Sequence, residues 1–227
     1  MAVTDDVILR IKEMIRTGEL GPGDRLPPEK ELGELLGASR NSLREAVKAL
    51  EVIRVLDVRR GDGTYVTSLE PELLLEAVSF AADLHSDDSV LEMFEVRRML
   101  EPQAAARAAH SMDAEMLAML TAEVERASGD TDVEALVQHD SDFHRAIVRA
   151  VGNDYLAGLI ESLSAHTVRA RVWRGLTQAG AVERTIAEHR DIVRALEVRD
   201  ADLAAALMLA HIAGVESWLR DAATAGR

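Results

Sequence analysis

The sequence contains no cysteine, and only 3% of its 227 residues are aromatic. Without cysteine the chain forms no disulfides and no thiolate metal sites. The absence of cysteine also gives no indication of whether the protein works in an oxidising or a reducing compartment. Scarce aromatics with abundant Ala, Leu, Val and Glu favour helix over sheet. No uninterrupted apolar run reaches the ~18 residues of a membrane span, and Asp5 and Asp6 stand where a signal peptide would be basic. We therefore expect a soluble, cytoplasmic protein that has no membrane partner.

Positive charge is also in short supply, because 26 Lys and Arg residues face 40 Asp and Glu residues, for a formal net charge of −14. Residues 1–68 carry 11 basic against 12 acidic side chains, whereas the remainder carries 15 against 28. Local charge, not the total, determines whether a surface attracts phosphate. The nearly neutral first segment therefore remains compatible with nucleic-acid binding.

Residues 26–66 have the order of a winged helix-turn-helix. Two short amphipathic helices are separated by Gly37-Ala38, and two predicted strands, 55–58 and 64–67, follow at once. Such a module places one helix in the DNA major groove. On that helix Ser39 is the candidate N-cap, and Arg40, Asn41 and Arg44 point away from the apolar face. The alternative is that these arginines only form a solvated helix face; the ordered series of helices, cap and wing favours DNA contact.

The same segment resembles the DNA-binding domain of the GntR family of bacterial regulators. The family pattern runs LP-S-E-x-x-L-A, then SR-x-x-[VL]-R-E-A-[LV], then a glycine-rich wing. The matching residues are Leu26, Pro27, Glu29, Leu32, Ser39, Arg40, Leu43, Arg44, Glu45, Ala46, Gly61, Gly63 and Val66. The resemblance implies contacts with double-stranded DNA from the recognition helix and the wing, by Lys30, Ser39, Arg40, Asn41, Ser42, Arg44, Arg60, Gly61 and Gly63.

Three positions depart from that pattern. Pro28 replaces the usual serine and removes a side-chain N-cap, although proline is accepted in a first helical turn. Lys30 stands where many members have a base-contacting arginine, and it cannot form the same bidentate fork. Arg54 replaces a common glycine and puts a Cβ where the backbone favours positive φ. These departures leave the operator sequence open without changing the module.

A second domain is predicted to follow Glu70-Pro71, which gives domains of residues 1–69 and 70–227. Its pattern is almost entirely helical and predicts six or seven helices in an antiparallel bundle, so the whole fold class is mainly α. Asp140 and His144 continue the apolar stripe of one helix, one turn apart. His189 and His211 lie in line with the stripes of two later helices. Asp and His at i and i+4 can bind one ion, whereas isolated histidines on apolar faces are usually hydrogen-bonded core residues. Spacing alone leaves both interpretations open.

Arg97 lies within the apolar stripe of a helix predicted from about residue 88 to 110. A buried guanidinium needs an anion, and the anion is either a bound ligand or an internal partner such as Glu101 or Asp140. His166 follows another apolar stripe, as a cavity-lining residue or as a satisfied core histidine. The remaining histidines are interpreted as surface or end-of-helix residues: His85, His110 and His139.

Asp-x3-His followed by two further histidines, in a helical domain behind a GntR module, resembles the FCD domain of the FadR subfamily across residues 70–227. The resemblance implies a divalent metal at Asp140, His144, His189 and His211. It also implies that Arg97, in an R-x-x-[IL]-E pattern, binds the carboxylate of an effector, with His166 nearby. A set of one carboxylate oxygen and three imidazole nitrogens suits zinc, nickel, manganese or iron(II), and the sequence alone does not decide among these metals. Zinc is the metal that we expect.

These observations predict a transcription regulator, a repressor, that binds a pseudo-palindromic operator as a homodimer. A small organic acid bound at the metal and Arg97 would control it. The first alternative is a regulator that senses the metal ion directly. The second is a metal-dependent hydrolase, because a metal with open positions can activate water. No Ser-His-Asp order, phosphate loop or clear general base accompanies the site, so no enzyme is expected.

Overall fold

The computed structural model describes residues 3–71, 73, 88–127 and 131–225. By its internal contacts the chain divides into one unit of Met1–Ala77 and a second of Val78–Arg227. That division falls in a stretch outside the described residues, so the domain boundary at Glu70-Pro71 stays a prediction. The position of His85 also lies outside them.

Within residues 3–66, the first unit contains three helices and a two-stranded antiparallel sheet, with the bounds α1 (Val3–Arg16), α2 (Glu29–Leu36), α3 (Arg40–Val52), β1 (Leu56–Arg59) and β2 (Gly63–Val66). Leu56 pairs with Val66 and Arg59 with Gly63. The predicted winged helix-turn-helix is therefore confirmed, with each strand one residue away from its expected bounds.

Local signals in the sequence account for the start and end of the two central helices. Ser39 accepts a hydrogen bond from the backbone N–H of Ser42 at 3.2 Å and caps α3. Gly37, with φ of 60°, ends α2 in the left-handed conformation that glycine adopts without penalty. Leu32 and Leu36 are buried, but Leu35 is 58% exposed. Leu35 lies about 100° around the helix axis from Leu36, outside the narrow buried stripe.

Two of the three departures from the GntR pattern have the predicted structural consequence. Pro28 occupies the N-cap position of α2 and makes no side-chain capping bond. Arg54 has φ of 60°, in the left-handed region. Its backbone nevertheless stays bonded, since its carbonyl accepts a hydrogen bond of 2.7 Å from Thr67 Oγ1. The loop after α3 therefore keeps a glycine-like conformation with an arginine in it.

In its described residues the second unit is all-helical, as predicted. Its six helices are α4 (Asp88–Ser111), α5 (Ala114–Arg126), α6 (Val133–Arg149), α7 (Asp154–Thr177), α8 (Ala181–Glu197) and α9 (Ala201–Ala225). The most extensive helix–helix contact joins α9 to α4, and α6 packs against α7. The main core lies where α4, α6, α8 and α9 meet, around Phe94, Phe143, Ile147, Ile192, Leu196, Met208 and Ile212.

Helix α9 is long and largely apolar. By length and composition alone, Ala201–Thr224 is long and apolar enough to cross a membrane. A core helix of a soluble protein passes the same test. In this fold Ala204, Met208 and Ile212 of α9 are buried in the main core. The helix also brings the buried polar residues His211 and Glu216 into the bundle.

Candidate functional site

The first unit exposes the residues predicted to contact DNA at the start of α3. Arg40, Asn41 and Arg44 are all exposed, while Leu43 between them is buried. The Arg44 side chain is 73% exposed, and its Nε lies 2.9 Å from Oε1 of Glu29. Ser42 is half-buried beside the capping residue Ser39. Lys30 is exposed near the start of α2. These positions fit a recognition helix that presents its N-terminal end.

Of the two wing glycines, Gly61 has the backbone conformation that requires glycine, and Gly63 lies against the side chain of Arg25. Gly61 has φ of 78°, which favours glycine in the tight turn between the strands. A Cβ on Gly63 would lie 2.5 Å from Nε of Arg25, whose guanidinium donates to the carbonyl of Asp62. Arg60 and Gly61 are exposed at the turn. The wing therefore ends in a tight, exposed turn.

Two further arginines lie next to Tyr65 of the wing. Arg59 lies over the ring of Tyr65, 4.2 Å from its centroid, and Arg25 forms a bridge to the same residue from the loop before α2. Tyr65 in turn donates a 2.9 Å hydrogen bond to Asp62. Arg59 directly precedes the predicted Arg60 at the end of β1, so this end of the wing carries more than one basic side chain.

In the second unit, three helices bring the four predicted metal ligands together. Asp140 and His144 come from α6, His189 from α8 and His211 from α9, and all four are buried. Their candidate ligand atoms lie within 4.8 Å of one another. Oδ1 of Asp140 is 3.7 Å from Nε2 of His144, 3.3 Å from Nε2 of His189 and 3.4 Å from Nε2 of His211. The three imidazoles therefore converge on one carboxylate oxygen through the same ring atom.

The other ring nitrogen of each histidine contacts a second group. Nδ1 of His144 lies against Oε2 of Glu101, and Nδ1 of His211 lies 2.7 Å from Oε2 of Glu188. Nδ1 of His189 lies 3.1 Å from Nε2 of His139. Such outer contacts fix the tautomer and the ring orientation of metal-binding histidines. His139 was interpreted as a surface or end-of-helix residue; that interpretation is wrong, because α5 and α8 cover this side of α6 and bury it.

An arginine that sequence reasoning missed balances the charge of Asp140. Arg171 of α7 is buried and donates through Nη1 to Oδ2 of Asp140 and through Nη2 to the carbonyl of Ser164, at 2.8 Å. Burial opposes the ionisation of Asp140, but Arg171 and the neighbouring imidazoles outweigh burial and hold the pKa of this carboxyl well below its ordinary value. Asp140 is therefore ionised at neutral pH.

The histidines differ in their protonation. Burial lowers the pKa of His189 to about 3, so this imidazole is neutral. Burial also disfavours protonated His211, but hydrogen bonding to Asp140 and Glu188 prevails and raises its pKa to about 9. A neutral imidazole is the form that binds a metal. His189 is thus ready to act as a ligand, whereas a metal would have to displace a proton from His211.

Two imidazole nitrogens indicate whether Asp140 and the three histidines suit a metal ion. Among the described residues, Nε2 of His144 and Nε2 of His189 are buried and have no hydrogen-bond partner of standard geometry. Buried polar atoms without partners are uncommon in native proteins. A cation among one carboxylate and three imidazoles would satisfy both atoms, and this donor set suits zinc and the other divalent ions considered above. The four residues fit a divalent metal.

Arg97, the predicted effector residue, is paired internally. Its Nε lies 2.5 Å from Oε1 of Glu101, and its Nη1 donates to Oγ1 of Thr167 at 3.2 Å. Both Arg97 and Glu101 are at most 1% exposed. Of the two internal partners that the sequence suggests for Arg97, Glu101 at i+4 is the one that it contacts. An effector role for Arg97 stays a prediction and requires a ligand to compete with Glu101. His166 is half-buried on α7.

Comparison with known proteins identifies both units. Residues 3–66 match the model of the bacterial regulatory proteins of the gntR family, and residues 92–214 match the FCD domain. The HTH-type transcriptional regulator LutR of Bacillus subtilis is 33% identical over 212 residues, which cover 91% of this chain and 96% of LutR. The galactonate operon transcriptional repressor of Escherichia coli is 28% identical, with 96% of this chain and 97% of that protein covered.

A solved structure gives the same assignment. The chain is similar to a Streptococcus agalactiae GntR protein with a TM-score of 0.73 and 27% sequence identity, covering 94% of this chain and 99% of that one. The FCD match alone spans more than half of the sequence. The chain therefore belongs to the GntR family of bacterial transcription regulators and joins a winged DNA-binding domain to a C-terminal FCD domain.

Proposed function

We propose that this DNA-binding regulator is a repressor whose operator binding is controlled by a small carboxylate at a divalent metal in the FCD domain. One observation carries the proposal: three imidazole Nε2 atoms converge on Oδ1 of Asp140 in a buried cluster, within a chain that also has a DNA-binding module. A homodimer would place one α3 helix in each half of a pseudo-palindromic operator.

In this proposal the residues divide into ligands and supports. Asp140, His144, His189 and His211 would bind the metal, which supplies a positive centre for a carboxylate. Glu101, His139 and Glu188 would keep the three imidazoles in orientation through their Nδ1 atoms. Arg171 would hold the ligand carboxylate in place through Oδ2 of Asp140.

The names of related proteins support an organic acid as the signal. One relative is named as the repressor of a galactonate operon, and galactonate is a sugar acid. Others are named transcriptional repressor NanR. These names describe the relatives. For this chain they suggest the chemical class of the effector, an organic acid, but not which compound it is. Repression is likewise carried over as part of the proposal.

An effector can act only if it binds one conformation of the dimer more tightly than another. The acid would favour the state in which the two recognition helices no longer match the spacing of the half-sites. By linkage, operator DNA must then weaken acid binding by the same factor. This reciprocity can be measured from both sides.

The test titrates metal and acids against operator binding by the full chain. An operator is obtained by selection from random duplex DNA, and fluorescence anisotropy gives the affinity for apo and zinc-loaded protein with a panel of carboxylates. We expect at least one acid to weaken operator binding about tenfold or more, equal to 1.4 kcal/mol, and only with metal present. A strong response to metal alone, unchanged across all acids, would instead assign the protein as a direct metal sensor.

A further inference from the structure

The recognition helix α3 exposes two arginines that differ in their contacts with the rest of the protein. Arg40, its first residue, forms no ion pair within the described residues. Arg44, one turn later, has its Nε 2.9 Å from Oε1 and 3.2 Å from Oε2 of Glu29. Glu29 is the first residue of α2 and lies 15 positions earlier in the sequence. One of the two arginines is therefore bound to the neighbouring helix.

Folding stability does not account for the contact between Glu29 and Arg44. Their side chains are 40% and 73% exposed, and exposed ion pairs contribute little to the free energy of unfolding. The exposed pair of Arg16 with Glu13 joins residues one turn apart on the same helix, which are neighbours in any helix. The pair of Glu29 and Arg44 instead connects the two helices of the helix-turn-helix. Its main effect is on the direction of the Arg44 side chain.

Glu29 leaves one edge of the Arg44 guanidinium unoccupied. Both hydrogen bonds to Glu29 use Nε, and in the part of the chain that the structure describes neither Nη atom has a recorded partner. An arginine recognises guanine through two bonds, to O6 and N7 of the base. Because Nε stays on the protein, the two Nη atoms remain available for such a bidentate contact.

The charge of Glu29 makes its position informative. Glu29 lies in the first turn of α2, where the positive end of the helix dipole stabilises a carboxylate, and Pro28 before it supplies no side-chain cap. A carboxylate near DNA nevertheless repels the phosphates and weakens binding. A glutamate beside the DNA-contacting end of α3 therefore favours binding only if it acts through another residue, and Arg44 is the residue that it contacts.

We propose that Glu29 is a positioning residue for DNA recognition. It fixes the guanidinium of Arg44 so that the two Nη atoms contact one guanine in each half of the operator. A side chain that is already fixed loses less conformational freedom on binding than a free one. The inference rests on the part of the proposed function in which α3 of each protomer contacts a half-site, and it does not depend on the metal or the acid.

The test measures discrimination between base pairs as well as affinity. The selected operator is changed one base pair at a time, symmetrically in both halves, and fluorescence anisotropy gives the affinity of the full chain without added acid. For the wild type we expect a G·C pair whose replacement weakens binding about tenfold or more. Glu29→Ala should weaken operator binding about five- to tenfold and reduce discrimination at that pair to about threefold or less. Glu29→Gln should be intermediate, because its amide oxygen still accepts from Nε.

Glu34→Ala is the matched control, because Glu34 is another exposed carboxylate of α2. Its operator affinity should be unchanged or higher, since one charge that repels phosphate is removed, and its discrimination should equal that of the wild type. The double variant Glu29→Ala with Arg44→Ala should bind within about twofold of Arg44→Ala alone, because the effects of two residues that act through one contact do not add.

Circular dichroism checks that each variant is folded; if Glu29→Ala is not, Glu29→Gln takes its place in every comparison. The proposal is overturned if Glu29→Ala binds as tightly as Glu34→Ala. It is also overturned if the double variant is weaker than Arg44→Ala by the full effect of Glu29→Ala. Full affinity in Arg44→Ala defeats the positioning role and leaves control by an acid intact. Operator binding that no acid changes defeats the proposed control by an effector and leaves the role of Glu29 supported.

Discussion

Nε2 of His139 lies 3.1 Å from Nδ1 of His189, and both rings are buried. On its other side, His189 directs Nε2 toward Asp140 at 3.3 Å. The ring of Phe143 stacks on the same imidazole, with centroids 3.8 Å apart. One histidine and one phenylalanine therefore fix the orientation of a third side chain whose Nε2 belongs to the candidate metal centre.

Replacing His139 should weaken metal binding without removing a ligand. We expect His139→Ala to lower zinc affinity by about 10–100-fold, which is the usual effect of losing an outer contact to a metal-binding histidine. His139→Gln, which keeps a polar group near Nδ1 of His189, should recover part of the loss. Competition with a chromophoric chelator measures the affinity.

The control for this change is His110→Ala, because His110 is exposed at the end of α4. Its zinc affinity should stay within about twofold of the wild type, as expected of a surface substitution. Equal affinity in His139→Ala and His110→Ala would show that the contact between His139 and His189 does not support metal binding.

Loss of a proposed ligand should abolish both metal content and metal-dependent stability. In the wild type we expect one zinc per chain by elemental analysis, and added stability of about 2.7 kcal/mol when free zinc is 100 times the dissociation constant. In His189→Ala both the bound zinc and the added stability should disappear, because the fourth ligand is replaced by a cavity and the three remaining side chains no longer complete the site. A variant that retains one equivalent of zinc would place the metal elsewhere.

The sequence was sufficient for those features that depend on helical periodicity. The period of 3.6 residues places Asp140 and His144 on one buried face, and the same rule finds His189 and His211. The cap at Ser39 and the positive φ at Arg54 follow equally from local rules. Each of these depends on neighbours close in sequence, which is why they could be predicted.

Features that depend on packing between helices could not be predicted in this way. His139 lies next to Asp140 in sequence but is buried by other helices, and only the tertiary structure sets how wide the buried face of α6 is. Arg171 and Arg174 were not singled out, because arginine is almost never fully buried unless it is paired. The one available signal was their spacing after Leu163 and Thr167, which continues the buried side of α7.

The buried pair of Arg97 and Glu101 predicts a loss of stability when one partner is removed. Arg97→Ala leaves a buried carboxylate without its main counter-ion, so the free energy of unfolding should fall by about 3–5 kcal/mol. Urea unfolding followed by tryptophan fluorescence measures this loss, because Trp173 and Trp218 both lie in the second unit.

The double variant Arg97→Met with Glu101→Leu is the matched comparison. Replacing both charges with apolar side chains should restore most of the stability, because no charge is left buried alone. It should also weaken zinc binding, since Nδ1 of His144 loses its contact with Glu101. A double variant as unstable as Arg97→Ala would contradict the ion-pair explanation.

Arg44 is expected to contribute directly to operator affinity. Arg44→Ala should weaken binding by about 1–3 kcal/mol, because an arginine near the start of a recognition helix is the usual partner of guanine. Arg16→Ala is the control, since Arg16 is another exposed arginine of the first unit, paired with Glu13 as Arg44 is paired with Glu29. Anisotropy with the selected operator compares them; equal affinities for the two variants would show that Arg44 does not contact bases.

The positive φ of Arg54 predicts that replacing this residue with glycine increases local stability. A non-glycine residue in the left-handed region costs about 1–2 kcal/mol, and part of the gain from glycine is offset by the greater freedom of the unfolded chain. Arg54→Gly should therefore stabilise the wing by about 0.5–1 kcal/mol and slow hydrogen exchange of the amides in residues 54–67 by about two- to fivefold. Arg59→Gly, in β1, should have the opposite effect, because it removes a side chain that covers Tyr65. Faster exchange in Arg54→Gly would mean that the arginine side chain stabilises this loop by more than its backbone conformation costs.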